Sequence, residues 1–304
     1  MKKIFYFILL TAFAVSCTTE MTQINLPDPI TSASVKVTIT PDAATQNVYN
    51  VSVSVPEDAI VKIDFGNGTN TEGKTGQAAY PFKGKFYVNI GIATKGGVLY
   101  VKDSIIVSTD NYELVKDPVY MLLTGGVDAA NGKTWVLDSL SAGHLGVGPI
   151  EKYIPEYWSA KPIAKTGKRI YDDEISFILK GAKVILENKG QSYVNGTAKD
   201  AMIARGATLM EREILYPGEK GADWVATYKT TGEGIEYNWT WSIIKEGDKT
   251  YIQFPDRQAF FIYYVGATNE KYEILSLTEN ELEVRIQLPA LAWYMKLIKK
   301  GFVR

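Results

Sequence analysis

Short runs in which apolar and polar residues alternate, cut at close intervals by Gly, Asn and Asp, restrict this chain to β structure. Val35-Lys36-Val37-Thr38-Ile39 and Tyr49-Asn50-Val51-Ser52-Val53-Ser54-Val55 have the period of two of strands with one buried face. Val61 to Gly68, Tyr80 to Val88 and a last strand near Ser104 to Val107 continue the pattern. So many strands in so short a stretch predict a small β-sandwich over residues 35–110.

Residues 108–120 form a join, and a larger β region occupies 118–304. Its predicted strands are Lys133–Ser139, Glu174–Leu179, Lys183–Glu187, Trp224–Lys229, Tyr237–Ile244, Thr250–Phe254, Phe260–Val265, Tyr272–Leu277, Leu282–Leu288 and Trp293–Lys299. Turns such as Lys180-Gly181 and Glu246-Gly247-Asp248 are too short for crossovers, so neighbours should pair antiparallel. Only residues 198–213 carry helical spacing. The up-and-down order suggests a meander closed into a barrel, and a two-sheet jelly roll fits nearly as well. The expected class is all-β.

The N-terminus bears on location. Lys2 and Lys3 precede an almost unbroken apolar run from Ile4 to Val15. Spanning a bilayer takes about 20 apolar residues, so this shorter run suits a secretory signal. Ala14-Val15-Ser16 ahead of Cys17, the chain's one cysteine, resembles a bacterial lipobox. That resemblance implies cleavage after residue 16, lipidation of Cys17 and attachment by acyl chains; an ordinary secreted protein is the alternative. Residues 17–34, polar and with Pro27 and Pro29, read as a tether. No thiol is then left for a disulfide, a zinc site or a nucleophile. Without Lys2 and Lys3 the chain keeps 31 basic and 34 acidic residues and shows no block of like charge. Nucleic acid and anionic headgroups are therefore poor partners.

Asp64-Phe65-Gly66-Asn67-Gly68, followed by Tyr80 and Gly84-Lys85-Phe86-Tyr87-Val88, resembles the PKD (polycystic kidney disease) domain. The family's W-D-F-G-D-G and G-x-Y-x-V signatures are altered here by Ile63, Asn67 and Phe86. The resemblance implies a spacer. Lys271 to Leu282 resembles the lipocalin-like domains of Bacteroidota lipoproteins, and Gly132-Lys133-Thr134-Trp135 is similar to their G-x-W entry with one residue added. Gly143 to Pro149, Tyr157 to Ala160 and Tyr171 to Glu174 resemble PKD-bearing lipoproteins that accompany outer-membrane glycan import. Those resemblances imply an outer-membrane uptake complex as partner and display towards the cell exterior. Only Glu20 supplies acid just after the cysteine, which leaves periplasmic retention open.

Catalytic patterns are thin. His144, the single histidine, lies in a Gly-rich loop, with no G-x-S-x-G elbow anywhere in the chain. It is expected to bond its own loop or line a ligand groove. Asp172-Asp173-Glu174 could supply the paired carboxylates of a glycoside hydrolase, although the E-x-D-x-x-E spacing of β-sandwich glucanases is absent. No metal or cofactor is expected. Aromatics carry the sharper reading, because sugar rings stack their C–H faces on exposed tryptophan and tyrosine. Trp239 and Trp241 share a strand face with Ile243 and read as core, as do Trp135 and Trp293. The loop from Gly148 to Pro162 instead offers Tyr153, Tyr157 and Trp158 without strand alternation, and Trp224 follows a Gly-rich turn. The expected function is non-catalytic capture of a polysaccharide or oligosaccharide by these rings, with Asp172, Asp173 and His144 on its hydroxyls. A glycoside hydrolase and a structural or adhesion lipoprotein are the alternatives.

Overall fold

A computed structural model describes residues 27–56, 58–212, 223–231, 239–255, 259–267 and 270–303. The signal peptide, Cys17 and most of the tether lie outside these residues, as does part of the expected strand at Tyr237. The fold is all-β, with strands paired antiparallel except for one parallel pair, Gln191–Val194 with Tyr263–Tyr264, and only short helices among the described residues.

Two sheets make the first unit. Strands β1 (Lys36–Pro41), β2 (Val48–Ser54) and β5 (Thr75–Ala79) form one. Strands β3 (Ile60–Asp64), β4 (Asn70–Glu72), β6 (Gly84–Thr94) and β7 (Gly97–Val107) form the other, in the order β4-β3-β6-β7. The alternate residues Val51, Val53, Val61, Ile63, Val88, Ile90 and Ile92 fill the space between, each at most 2% exposed. The Asp-Phe-Gly-Asn-Gly turn between β3 and β4 needs its glycines. Gly66 has φ +70°, and a Cβ there would sit 2.2 Å from the Tyr87 carbonyl oxygen. Asp64 accepts the Gly66 N–H at 2.9 Å, and the buried Tyr80 hydroxyl donates to the Phe65 carbonyl at 2.9 Å. Those bonds account physically for the spacing between the turn and the tyrosine.

Overlapping the end of the expected join at 108–120 lies a helix that sequence reading missed, α1 (Pro118–Thr124). Asp117 caps it by accepting from the Val119 N–H at 3.0 Å, Pro118 opens it, and Gly125 closes it at φ +81°. At seven residues it is too short to show a period.

The larger unit is a meander that closes. Its strands are β8 (Lys133–Leu137), β9 (Leu145–Gly148), β10 (Trp158–Ser159), β11 (Glu174–Ile178), β12 (Lys183–Glu187), β13 (Gln191–Val194), β14 (Thr208–Arg212), β15 (Trp224–Thr227), β16 (Ser242–Glu246), β17 (Lys249–Phe254), β18 (Tyr263–Tyr264), β19 (Glu270–Leu277), β20 (Glu281–Gln287) and β21 (Ala292–Lys299). The main path runs β12-β11-β8-β21-β20-β19-β17-β16. Its two ends then meet through the residues just before β16. The Val184 N–H donates to the Trp239 carbonyl at 3.0 Å, the Trp241 N–H to the Ala182 carbonyl at 3.0 Å, and Lys183 bridges Thr240. The ring is thereby complete. Strand β9 continues β8 along β21, and the excursion between them carries His144.

The interior is filled. Phe177 lies 5.7 Å from Trp241 and 5.7 Å from Phe261, ring centre to ring centre, and Phe261 lies 4.6 Å from Tyr272. Residues 259–265, all at most 2% exposed, thus feed the core from between β17 and β19. Trp135, Trp239 and Trp241 are buried, while Trp293 is half-buried against the same cluster. At one end α1 is tied to β8: the Trp135 indole donates to the Leu123 carbonyl at 2.9 Å and the Lys133 ammonium to the Leu122 carbonyl at 2.6 Å. Gly132, at φ +69°, lets this entry lie against β11, where a Cβ would fall 2.1 Å from the Phe177 carbonyl oxygen.

The expected helix over 198–213 is corrected. Helix α2 (Lys199–Ala204) ends before Gly206, at φ +93°, and Thr208–Arg212 become β14 on β15. Pairing in the small sheet β14-β15-β13-β18 overrides a helical spacing of modest length. Arg205, just past α2, ion-pairs with the buried Glu270 at 2.9 Å and ties the helix to β19.

Gly132→Ala should destabilise the protein by about 3 kcal/mol, since the site combines positive φ with backbone contact. Urea unfolding followed by tryptophan fluorescence would show it; an unchanged midpoint would remove the close approach at β11 as a constraint.

Candidate functional site: an aromatic loop on the barrel wall

The outer face of the barrel carries a row of residues in register: Tyr251, Glu273, Arg285, Tyr294 and Gly146. Charged outward residues are ordinarily solvated, yet Arg285 and Tyr294 are each only 2% exposed. The loop after β9 covers them. Arg285 pairs with Glu273 at 3.1 Å and donates to the Ile150 carbonyl, and the Tyr294 hydroxyl donates to the Lys152 carbonyl at 3.0 Å. Two glycines let the loop come this close. A Cβ on Gly146 would fall 2.4 Å from the Pro155 side chain, and one on Gly148 would fall 2.2 Å from the Ile154 carbonyl oxygen.

Three rings of this stretch remain exposed. Tyr153 is 45% exposed, Tyr157 61% and Trp158 39%. The Tyr153 ring lies 4.4 Å from the Arg285 guanidinium and 4.8 Å from the Lys249 ammonium, and its hydroxyl meets the latter. Tyr153, Lys249 and Glu273 line a groove of about 760 Å³ with Val119, Leu122 and the 274–277 stretch of β19. Trp158 stands on the short strand β10, opposite Val147, which is itself opposite Trp293. Residues in register point to one side, so Trp158 and Trp293 flank Val147 on one face, opposite to the face of Tyr294 and Gly146, and Trp293 on that face packs against the barrel core. Beside Trp158 runs the buried Lys165, its ammonium 5.3 Å from that ring and 5.1 Å from the Tyr193 ring. Lys165 pairs with Asp223 at 3.6 Å, and Asp223 also accepts from the Tyr193 hydroxyl at 2.9 Å.

The other expected residues lie elsewhere. Trp224 is half-buried under Lys199, whose ammonium is 5.0 Å from its ring, and it pairs with Val194 rather than with the Tyr193 position that faces Lys165. It is not brought together with Trp158. Asp172 borders a separate cavity of about 510 Å³ with Lys165, Arg169 and Tyr171. His144 is fully buried and offers a ligand no surface. Its Nδ1–H donates to the Ser141 carbonyl at 2.7 Å, which leaves Nε2 to accept from the Tyr171 hydroxyl at 2.8 Å. Burial holds its pKa below the usual histidine value.

Asp173 is likewise sealed, at 1% exposure, and neither carboxyl oxygen has a hydrogen-bond partner. It shares the inward face of β11 with Ile175 and Phe177, whereas Asp172 points outward. Burial, reinforced by Asp172 and Glu187, pushes its pKa up to about 9. A protonated acid with no access to solvent cannot flank a glycosidic bond beside Asp172. Sequence reading missed Arg285, Lys249, Glu273 and Lys165. An arginine in the run Val284-Arg285-Ile286 looks like an ordinary solvated residue, and only the pair of spaced glycines in β9 hints that something covers it. Among the described residues no cluster of His, Cys, Asp and Glu could hold a metal ion, and no helix is long and apolar enough to cross a membrane.

No known family matches the chain, and no curated protein does. Among solved structures it is similar to the PKD1 domain of Vibrio anguillarum Epp, at 18% identity over 27% of this chain and 96% of that one, with a TM-score of 0.23. It is also similar to the PKD domain of the human VPS10 domain-containing receptor SorCS2, at 14% identity over 36% and 97%, with a TM-score of 0.24. At these scores the likeness carries no weight of its own, and the all-β assignment rests on the strand pairing.

Asp173 gives a pH-dependent test. The folded protein holds its proton up to about pH 9, and the unfolded chain releases it near pH 4. The folded state therefore binds more protons across that interval, and its stability falls as pH rises through it. Asp173→Asn keeps size and neutrality without that proton. It should match the parent at pH 4 and unfold at higher urea than the parent at pH 8; equal midpoints at both would show Asp173 to be charged and solvated.

Proposed function

We propose that this is a lipid-anchored surface protein that captures a glycan on the loop of Tyr153, Tyr157 and Trp158 without cleaving it. The observation that carries the reading is the fastening of that loop. Three exposed rings are held on a backbone whose carbonyls are gripped by the buried Arg285 and Tyr294. A platform held in place before binding loses little freedom when a sugar stacks on it. Lys249 and Glu273 beside Tyr153 can meet ring hydroxyls with donors and acceptors.

The first unit is read as a PKD-like spacer. The Pro27 and Asp28 carbonyls lie against Gly96 in the turn of the β6–β7 hairpin, while the chain leaves from the opposite end of β7. Entry and exit are thus separated by the length of an 11-residue strand, roughly 35 Å at the usual rise. A domain so threaded would hold the barrel away from the membrane to which Cys17 is anchored. The tie between α1, Trp135 and Gly132 supports the lipocalin-like reading of the barrel, because it gives the glycine and the tryptophan of the entry strand a shared structural task. An outer-membrane uptake complex is the proposed partner.

The test is a titration of the chain from Thr18 onward against plant and microbial polysaccharides, with released reducing ends measured in each mixture. Binding without cleavage should occur, and Trp158→Ala should weaken it roughly tenfold or more, the loss of one stacked ring. Release of reducing ends would turn the assignment to a hydrolase. Absence of binding across the panel would leave a structural lipoprotein.

A further inference from the structure

Among the described residues, the large apolar side chains that the first unit exposes all stand on one face of the β4-β3-β6-β7 sheet. They are Ile60, Tyr87, Val98, Tyr100 and Ile106. Tyr100 is 81% exposed and Ile106 68%. Three of the five belong to β7, which ends the sheet and pairs with β6 alone. Exposed apolar groups gathered in this way mark a surface that another molecule covers.

The strand itself has the form of a template. β7 runs for 11 residues against β6 without a bulge and without a proline. An edge left open like this accepts a further strand, and proteins ordinarily blunt such edges. The other edges of the unit are blunted: β4 has three residues, β5 has five, and β1 ends on Pro41. Two bonds show which backbone groups of β7 face away from β6. The Ile106 carbonyl accepts from the Tyr49 hydroxyl at 3.4 Å, and the Ser104 N–H donates to the Asp103 carboxylate at 2.7 Å. Backbone direction alternates along a strand, so Val98, Tyr100 and Lys102 present their N–H and C=O groups to the same open side.

We infer that β7 pairs antiparallel with β7 of a second copy of this chain, joining the two sheets into one. Charge sets the register. A twofold axis at Lys102 would face ammonium with ammonium, and one at Asp103 would face carboxylate with carboxylate. Axes nearer either end of the strand shorten the overlap. An axis at Val101 avoids both faults. It sets Tyr100 opposite the partner's Lys102, Leu99 opposite the partner's Asp103 and Val98 opposite the partner's Ser104. Tyr100 and Lys102 then exchange their outward backbone bonds. The Lys102 ammonium already lies 4.0 Å from the Tyr87 ring of its own chain, and the partner's Tyr100 adds a second ring beside it. Pairing about a twofold axis closes on itself and stops at two copies. It is independent of glycan capture, since no residue of the aromatic loop takes part.

The test is sedimentation equilibrium of the chain from Thr18 onward over a wide range of concentration. A monomer–dimer equilibrium should appear. Tyr100→Lys sets like charges opposite each other twice about the axis and should weaken pairing roughly tenfold or more. Adding Lys102→Glu to that variant should restore it, because in this register the two positions meet. Both side chains are exposed, so unchanged melting temperatures should show that the variants fold. A chain that remains monomeric throughout overturns the pairing. So does a dimer indifferent to Tyr100→Lys, a dissociation that Lys102→Glu does not reverse, or growth into assemblies larger than two.

Discussion

Closure of the barrel sheet on itself is the constraint from which most of this molecule follows. Were the ends of the path left apart, β12 and β16 would each present a row of unpaired backbone groups. The bonds from the Val184 N–H to the Trp239 carbonyl and from the Trp241 N–H to the Ala182 carbonyl tie the start of β12 to the residues just before β16 and so join the two edges there. Closing a ring of this size leaves an interior that side chains must fill. Phe177, Phe254, Phe261, Tyr272 and Trp241 fill it, and α1 covers one end through the Trp135 bond. Among the described residues these side chains occupy the barrel interior.

The outside is built with buried polar groups. Arg285, Glu273 and Tyr294 would each be costly beneath a loop if left alone. They are mutually bonded, and the remaining donors take the loop's own carbonyls. The pairing of Lys165 with Asp223 and Tyr193 does the same on the other side of Trp158. Such pairs add little net stability compared with apolar packing, but breaking one member leaves its partner uncompensated, and this enforces a single arrangement. Glycines complete the device: Gly146 and Gly148 bring the loop to the wall, and Gly68 brings one unit to the other.

The all-β fold was legible because a period of two survives wherever one face is buried, as in β2, β8 and β11, whose ends differ from expectation by only one or two residues. Where that condition fails, the reading fails. Helix α1 is too short and too apolar for a period, and residues 198–213 carry helical spacing that the pairing of β14 with β15 overrules. The exposure of Tyr153, Tyr157 and Trp158 was legible for a complementary reason: they stand among prolines and charges, although Trp158 falls on the two-residue strand β10. Asp173 and His144 were not, because a carboxyl or an imidazole announces its chemistry in the sequence but not its depth. Which of two adjacent aspartates faces inward is set by the register of β11, and that became visible only with Ile175 and Phe177 in place.

Burial acts on these two groups in opposite directions with one result. It raises the Asp173 pKa and lowers that of His144, so each is driven to its neutral form near neutral pH. The one histidine of the chain is thereby withdrawn from any pH-sensitive role at the surface, and the acid most suited to proton donation is shut inside. What the proposed loop site would offer a ligand is lysine, hydroxyl and ring. Recognition by such groups responds to salt and to the shape of the ligand, while pH would act chiefly through the ligand's own acid groups. The proposed capture of a glycan would show that response.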